Sequence, residues 1–159
     1  MSRQPPDRIE LERFLPYRLS VLTNVVSGSI AAAYQRRFGL GIPEWRVIAV
    51  LARHPGLSAA EVAAFTRMDA VAVSRAVTRL VRAGRLRRSV AGDDRRRSVL
   101  RLSPAGRAVY RRIAPLALDY ERELLDCLDA RQVAELDSII GKLTARAHSL
   151  AAPQRGDGP

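Results

Sequence analysis

The chain has 159 residues, 47% of them hydrophobic, and a formal net charge of +11 from 27 basic and 16 acidic residues. That suits one domain, or one small domain with helical extensions, able to bury a core. The single cysteine excludes an intramolecular disulfide, Met1 to Asp7 lacks the apolar run of a signal peptide, and no stretch is apolar enough to span a membrane, so a cytoplasmic protein is expected.

In chain order, residues 1–6 are expected to be disordered. Asp7 and Glu10 are spaced as a capping pair for a turn or two of helix. Pro16 then starts a long helix that ends near Phe38-Gly39. Leu19, Leu22, Val26, Ile30 and Ala33 recur at helical spacing, and Val21 and Val25 widen the stripe. Gly41-Ile42-Pro43-Glu44 opens a second helix, Ile42 to about Arg53, with Trp45, Ile48, Ala49 and Leu51 as its expected buried positions. His54-Pro55-Gly56 is a turn.

Leu57-Ser58-Ala59-Ala60-Glu61-Val62 reads as a capping box with a hydrophobic staple, so a short helix runs from here to Phe65-Thr66. Arg67-Met68 make a turn, Asp69 caps a further helix from Ala70 to about Ala83, and Gly84 stands where a left-handed cap residue belongs. Two helices joined by so short a turn are a helix-turn-helix pattern. In the second of them Val73, Ala76, Val77 and Leu80 share one face. The opposite face carries Val71, Arg75, Thr78, Arg79 and Arg82, with Ala72 and Ser74 at its margins. Such a helix is either a solvated surface helix or one that lies in a major groove.

The following residues favour the groove. Arg85 to Val90 and Arg97 to Leu102 alternate nearly as half-buried strands do, and Ala91-Gly92-Asp93-Asp94-Arg95-Arg96 between them is turn-forming. Ser103-Pro104 caps and starts another helix, Pro104 to about Leu128, with a bend expected at Pro115. Leu128-Asp129-Ala130-Arg131-Gln132-Val133 repeats the staple and cap. The last helix places Val133, Leu136, Ile140, Leu143, Ala147 and Leu150 on one face, and residues 151–159 are a tail. The fold class is mainly α with a small β-hairpin wing: a winged helix-turn-helix with N- and C-terminal dimerisation helices, whose long apolar stripes must be covered, usually by a symmetric partner, the plain alternative being that the three helices pack on one another within one chain.

The charge is not spread evenly. Arg67 to Arg112 holds 14 arginines and 3 acids, whereas the rest of the chain balances 13 against 13. All of the excess sits on the second helix of the motif, the hairpin and the start of the next helix, which is the footprint of polyanion binding. Arg75 and Arg79, with Thr78 beside them and Ser74 at the margin, are candidate base-edge and phosphate contacts, and Val71 and Ala72 candidate contacts to thymine methyls. Arg95, Arg96 and Arg97 occupy the wing tip and its exit, and Ser58 and Arg88 are further phosphate candidates.

Asp94-Arg95-Arg96-Arg97-Ser98-Val99-Leu100-Arg101-Leu102-Ser103-Pro104-Ala105-Gly106 resembles the wing signature of the MarR family of bacterial transcriptional regulators, with Asp94, Arg96, Leu102, Ser103 and Gly106 in register. Ser103 stands where threonine is more usual. Pro43 to Val47 and Val73 to Val77 also resemble family segments, and the likeness extends over roughly residues 10–150. The resemblance implies a single MarR-like domain over 7–150, with a winged core at about 42–103 and dimerisation helices at about 7–38 and 104–150. It implies double-stranded DNA and a second copy of the chain as partners, and a pseudo-palindromic operator bound by a homodimeric repressor. It also implies that Arg96 enters the minor groove with Asp94 holding it; the plain alternative is that the two form only a turn pair. A small aromatic or phenolic effector is a further expectation from the family, and Tyr17, Arg18, Tyr34, Phe38, Trp45 and Arg46 are the residues put forward to bind it.

Other classes fare worse. The chain lacks a nucleophile with a base, a metal-ligand cluster and a glycine-rich phosphate loop, so no enzyme, cofactor or metal is expected. His54 and His148 are isolated, Cys127 is expected in the core, and no aromatic platform suggests RNA. The rival that charge alone leaves standing is an architectural protein that coats DNA without reading its sequence.

Overall fold

The computed structural model describes residues 9–90 and 98–151. Its elements are α1 (Leu15–Phe38), α2 (Ile42–Arg53), α3 (Ala59–Thr66), α4 (Ala70–Arg82), β1 (Leu86–Val90), β2 (Ser98–Leu102), α5 (Pro104–Leu125) and α6 (Ala130–Ala151). The class read from the sequence is the one observed: six helices and one two-stranded antiparallel hairpin. The chain divides into two compact units, residues 1–117 and 118–159.

In the first unit, local signals do what their chemistry requires. The Ser58 hydroxyl accepts the Glu61 N–H at 3.2 Å, and the Glu61 carboxylate accepts the Ser58 N–H at 2.7 Å, closing the capping box of α3. Asp69 accepts the Ala72 N–H at 3.0 Å and starts α4. Gly84 takes φ +67, the Gly84 N–H reaches the Val81 carbonyl, and the Arg85 N–H reaches that of Leu80, so α4 ends in a Schellman motif. The turn between α3 and α4 needs one left-handed residue, and Arg67 supplies it at φ 53.

The hairpin pairs Leu86 with Leu102, Arg87 with Arg101 and Arg88 with Leu100. Leu86, Leu100 and Leu102 turn into the core. The Leu57–Leu100 bridge anchors the hairpin to the turn before α3. At its base Ser103 caps α5: its hydroxyl accepts the Gly106 N–H at 3.0 Å and donates to the Gly84 carbonyl at 2.6 Å. A Cβ on Gly106 would overlap the Arg85 carbonyl, so only glycine lets α5 lie so close to the exit of α4.

The core of the unit joins Ala31, Tyr34, Leu40, Val47, Ile48, Leu51, Val62, Val73, Val77, Leu80, Leu100 and Ile113, all buried. Burying each of the larger side chains contributes about 1.5–3 kcal/mol. Several expectations need correcting. On α1 the buried residues are Ala31 and Tyr34, and Ala33 is exposed, because only the C-terminal part of α1 packs on the core. On α2, Trp45 and Ala49 are half-buried, and Glu44 and Val47 are buried in their place.

Helix α5 runs through Pro115 and stops at Leu125, three residues short of the expected Leu128. In the second unit, Asp129 and Gln132 exchange backbone-to-side-chain hydrogen bonds at 2.8 and 2.9 Å and cap α6. No residue of α6 is buried. Cys127, expected in the core, is exposed: the helix ends before it, and its thiol lies 3.5 Å from the Leu124 carbonyl.

Candidate nucleic-acid interface

Helix α4 presents its two faces as the helical wheel predicts. Val73, Ala76, Val77 and Leu80 are buried against α2, α3 and β1. Val71, Ser74, Arg75, Thr78, Arg79 and Arg82 are exposed, and Ala72 is half-buried. Val71 is 55% exposed, an apolar residue near the N-terminal end of a cationic face. The Thr78 hydroxyl donates to the Ser74 carbonyl at 2.9 Å and keeps its lone pairs for another donor. Arg75 has no hydrogen-bond or ion-pair partner among the described residues.

Arg79 stands on the same exposed face but is paired with an acid. Its guanidinium donates to Glu44 of α2 at 2.8 Å. Ser58 is half-buried with its hydroxyl committed to the α3 cap, and Arg88 is exposed on β1. Asp94, Arg95, Arg96 and Arg97 lie outside the described residues.

The proposed effector residues do not form one group. Tyr34 and Trp45 approach with ring centroids 5.8 Å apart, and Trp45 stacks on Tyr110 of α5 at 5.9 Å. Phe38 lies under the Arg112 guanidinium at 5.1 Å, and Arg46 reaches the Ser27 hydroxyl at 3.4 Å. Burial pushes the Tyr34 phenol above its usual value, with Arg46 opposing and Glu44 adding to the rise. Tyr17 and Arg18 are exposed near the start of α1. At about 1.5 Å per residue they stand on the order of 25 Å from Tyr34 along the helix, too far to share a cavity within one chain.

A pocket of about 340 Å³ opens instead between α2, β2 and α5. Leu51, Ala52, Pro55, Leu102 and Tyr110 supply its apolar wall, and Arg101, Arg107 and Arg111 its charge. No carboxylate lines it. Arg107 is fixed by donating to the Leu102 carbonyl at 2.7 Å. Arg101 stands directly opposite Arg87 in the hairpin, a like-charge pair that an anion would relieve.

A sequence profile of the MarR family matches residues 38–97. The chain is similar to a MarR/EmrR family transcriptional regulator from Acinetobacter sp. ADP1, at 25% identity over 89% of this chain and 99% of that one, with a TM-score of 0.82. The profile match and the shared fold both support the MarR resemblance carried by the wing signature. A MarR family regulator from Silicibacter pomeroyi DSS is 27% identical over 91% of this chain and 94% of its own, with a TM-score of 0.73. The PcaV regulator of Streptomyces coelicolor, solved with its natural ligand, shares the fold at 24% identity, with 88% of this chain and 98% of that one covered and a TM-score of 0.71. No curated protein sequence matches the chain.

The match gives the geometry a context. The matched span contains α2 to β1, and Ser103 and Gly106, the last residues of the wing signature, form the cap and close approach that seat α5. Sequence reasoning missed Glu44, Tyr110 and the arginines of the pocket. Arg107 and Arg111 carry one usable signal: they lie one turn apart on a helix that opens beside a cationic hairpin. Among the described residues no cluster of His, Cys, Asp and Glu is arranged to hold a metal, and no helix is long and apolar enough to cross a membrane.

Proposed function

We propose that this protein is a homodimeric, sequence-reading DNA-binding regulator of the MarR type, in the cytoplasm, that represses by occupying a pseudo-palindromic operator. The observation that carries the reading is the outer face of α4, where Arg75, unpaired among the described residues, stands beside Thr78, Val71 and Ala72. Arginine on guanine edges and apolar contact with thymine methyls are the chemistry of direct readout. A coat protein that follows only phosphates has no use for an exposed valine on that face. The hairpin arginines Arg88, Arg95, Arg96 and Arg97, with Asp94 holding Arg96, are the proposed backbone and minor-groove contacts. Ser58 remains a candidate phosphate contact at the start of α3.

Support for the dimer comes from apolar residues left bare on two helices. Leu15, Leu19, Leu22 and Val25 of α1 are exposed, as are Leu136, Ile139, Ile140, Leu143 and Leu150 of α6. A second copy is the usual cover for such stripes. Two recognition helices related by a two-fold axis would meet half-sites about 10 bp apart.

The effector, on this reading, is a small anion with an apolar body. The pocket beneath β2 favours it, with three arginines over a wall of Leu51, Leu102 and Tyr110. PcaV is a relative in fold that was solved with a natural ligand. Binding there would hold the stem of the wing and shift DNA affinity by a coupling on the order of 1–3 kcal/mol.

The test is a protection footprint on the DNA flanking the protein's own gene, or on sites selected from random duplexes. Two protected half-sites one turn apart are expected, and Arg75→Ala should relax base preference there at a cost of about 1–3 kcal/mol. Uniform protection of any duplex would favour the architectural protein.

A further inference from the structure

We infer that Glu44 is a positioning residue for DNA recognition: its buried carboxylate holds Arg79 against α2, so that Arg79 sets the lie of α4 while Arg75 reads DNA. The inference rests on α4 being the recognition helix, as proposed above.

Glu44 sits in the first turn of α2, and its side chain is only 5% exposed. A carboxylate is buried at this depth only when its oxygens are matched. One oxygen accepts the Gly41 N–H at 2.9 Å, the other the Arg79 guanidinium at 2.8 Å. The fit at the first is tight. A Cβ on Gly41 would stand 2.5 Å from the carboxylate oxygen, so any larger residue there would make the carboxylate shift from its seat.

Arg79 is asymmetric in the other sense, since 66% of its side chain is exposed. A phosphate near α4 would therefore compete for it. Moving it away would leave the Glu44 carboxylate buried with the Gly41 N–H as its one remaining donor among the described residues. The pair is more stable kept than broken, and Arg79 is withheld from DNA.

A second tie acts beside the first. Arg85, just past the end of α4, donates to the Phe38 carbonyl at 2.6 Å, at the last residue of α1. Arg79 and Arg85 thus fasten the C-terminal half of α4 and its exit to the α1–α2 junction. Among the described residues no such tie holds Arg75, one turn earlier. The helix is divided into an anchored half and a reading half.

Charge and position make opposite forecasts, and the experiment uses that. A duplex is selected from a pool randomised over about two helical turns. Dissociation constants are then measured on it and on its scramble, at about 50 and about 200 mM salt. Glu44→Gln keeps an acceptor for the Gly41 N–H and removes one negative charge. Binding to the scramble should hold or tighten, while binding to the selected duplex weakens about tenfold, the size of a lost base preference. Arg79→Gln should lower the selected-to-scrambled ratio similarly with no change in salt slope, and Arg79→Lys, which can still pair with Glu44, should retain most of it.

Two outcomes overturn the inference. One is a ratio in Glu44→Gln within about twofold of the parent, well inside the roughly tenfold or greater effect of one wrong base pair. The other is an equal loss on both duplexes in Arg79→Gln with the salt slope reduced by about one, the mark of a phosphate contact. If Glu44→Gln does not fold, judged by its circular dichroism melt, the salt slope of Arg79→Gln decides alone. A parent protein that selects no duplex at all sinks the reading of α4 as a sequence reader and the inference with it.

Discussion

In α4 the apolar face of Val73, Ala76, Val77 and Leu80 is at most 1% exposed, whereas no residue of α6 is buried and Ile139 and Ile140 are each 52% exposed. Both helices carry aliphatic residues three or four apart. They differ in what lies opposite. Against α4 stand α2, α3 and the first strand, close enough to exclude water. Within its own unit, no described element covers the stripe of α6. An apolar stripe therefore identifies a face that must be covered but not whether its own chain covers it.

Four substitutions sharpen this comparison. Leu80→Ala empties a site closed on all sides and should cost about 4 kcal/mol in denaturant unfolding, with no change in the assembly mass of the folded protein. Gly106→Ala drives a methyl into the Arg85 carbonyl and should cost about 2–3 kcal/mol, since backbone lies on both sides and neither can retreat far. Ile140→Glu should act in the opposite way to Leu80→Ala. It should leave the α-helical signal intact but weaken self-association by about 2 kcal/mol, read as monomer in sedimentation at concentrations where the parent is dimeric. Were Ile140→Glu instead to unfold the protein with its mass unchanged, the stripe of α6 would be covered within the chain. Smallest is Ser58→Ala, which removes one half of the α3 capping box and should cost about 1 kcal/mol.

How much of this was legible in the sequence depended on distance along the chain. The caps at Ser58, Asp69, Ser103 and Asp129 and the left-handed Gly84 are settled by residues within three or four positions, and each appears where its local pattern places it. The two faces of α4 follow from a period of 3.6 and are equally local. Arg67 shows the limit of such reading, because nothing in an arginine announces a positive φ. It takes that conformation because the turn between two packed helices demands it.

The candidate site was legible in part. Arg75, Thr78 and Val71 could be placed on the outer face because burial of the inner face fixes them. Arg79 stands on the same face and looked equivalent. The residue that makes it different, Glu44, is 35 positions away, and no period or motif joins the two. The aromatic rings show the same limit. Tyr34 and Trp45 lie close together, but the ring that stacks on Trp45, Tyr110, comes from α5, and Tyr17 lies several turns from Tyr34 along α1.

The central claim is that α4 reads base sequence. It is tested most directly by the affinity of the purified protein for its best selected duplex and for the scramble of that duplex, each measured at about 50 and about 200 mM salt. The account predicts a preference of about 10³ or more that persists at the higher salt. Equal affinities that fall together as salt rises would contradict it, and the arginines of α4 and the hairpin would then be a phosphate-binding surface and nothing more.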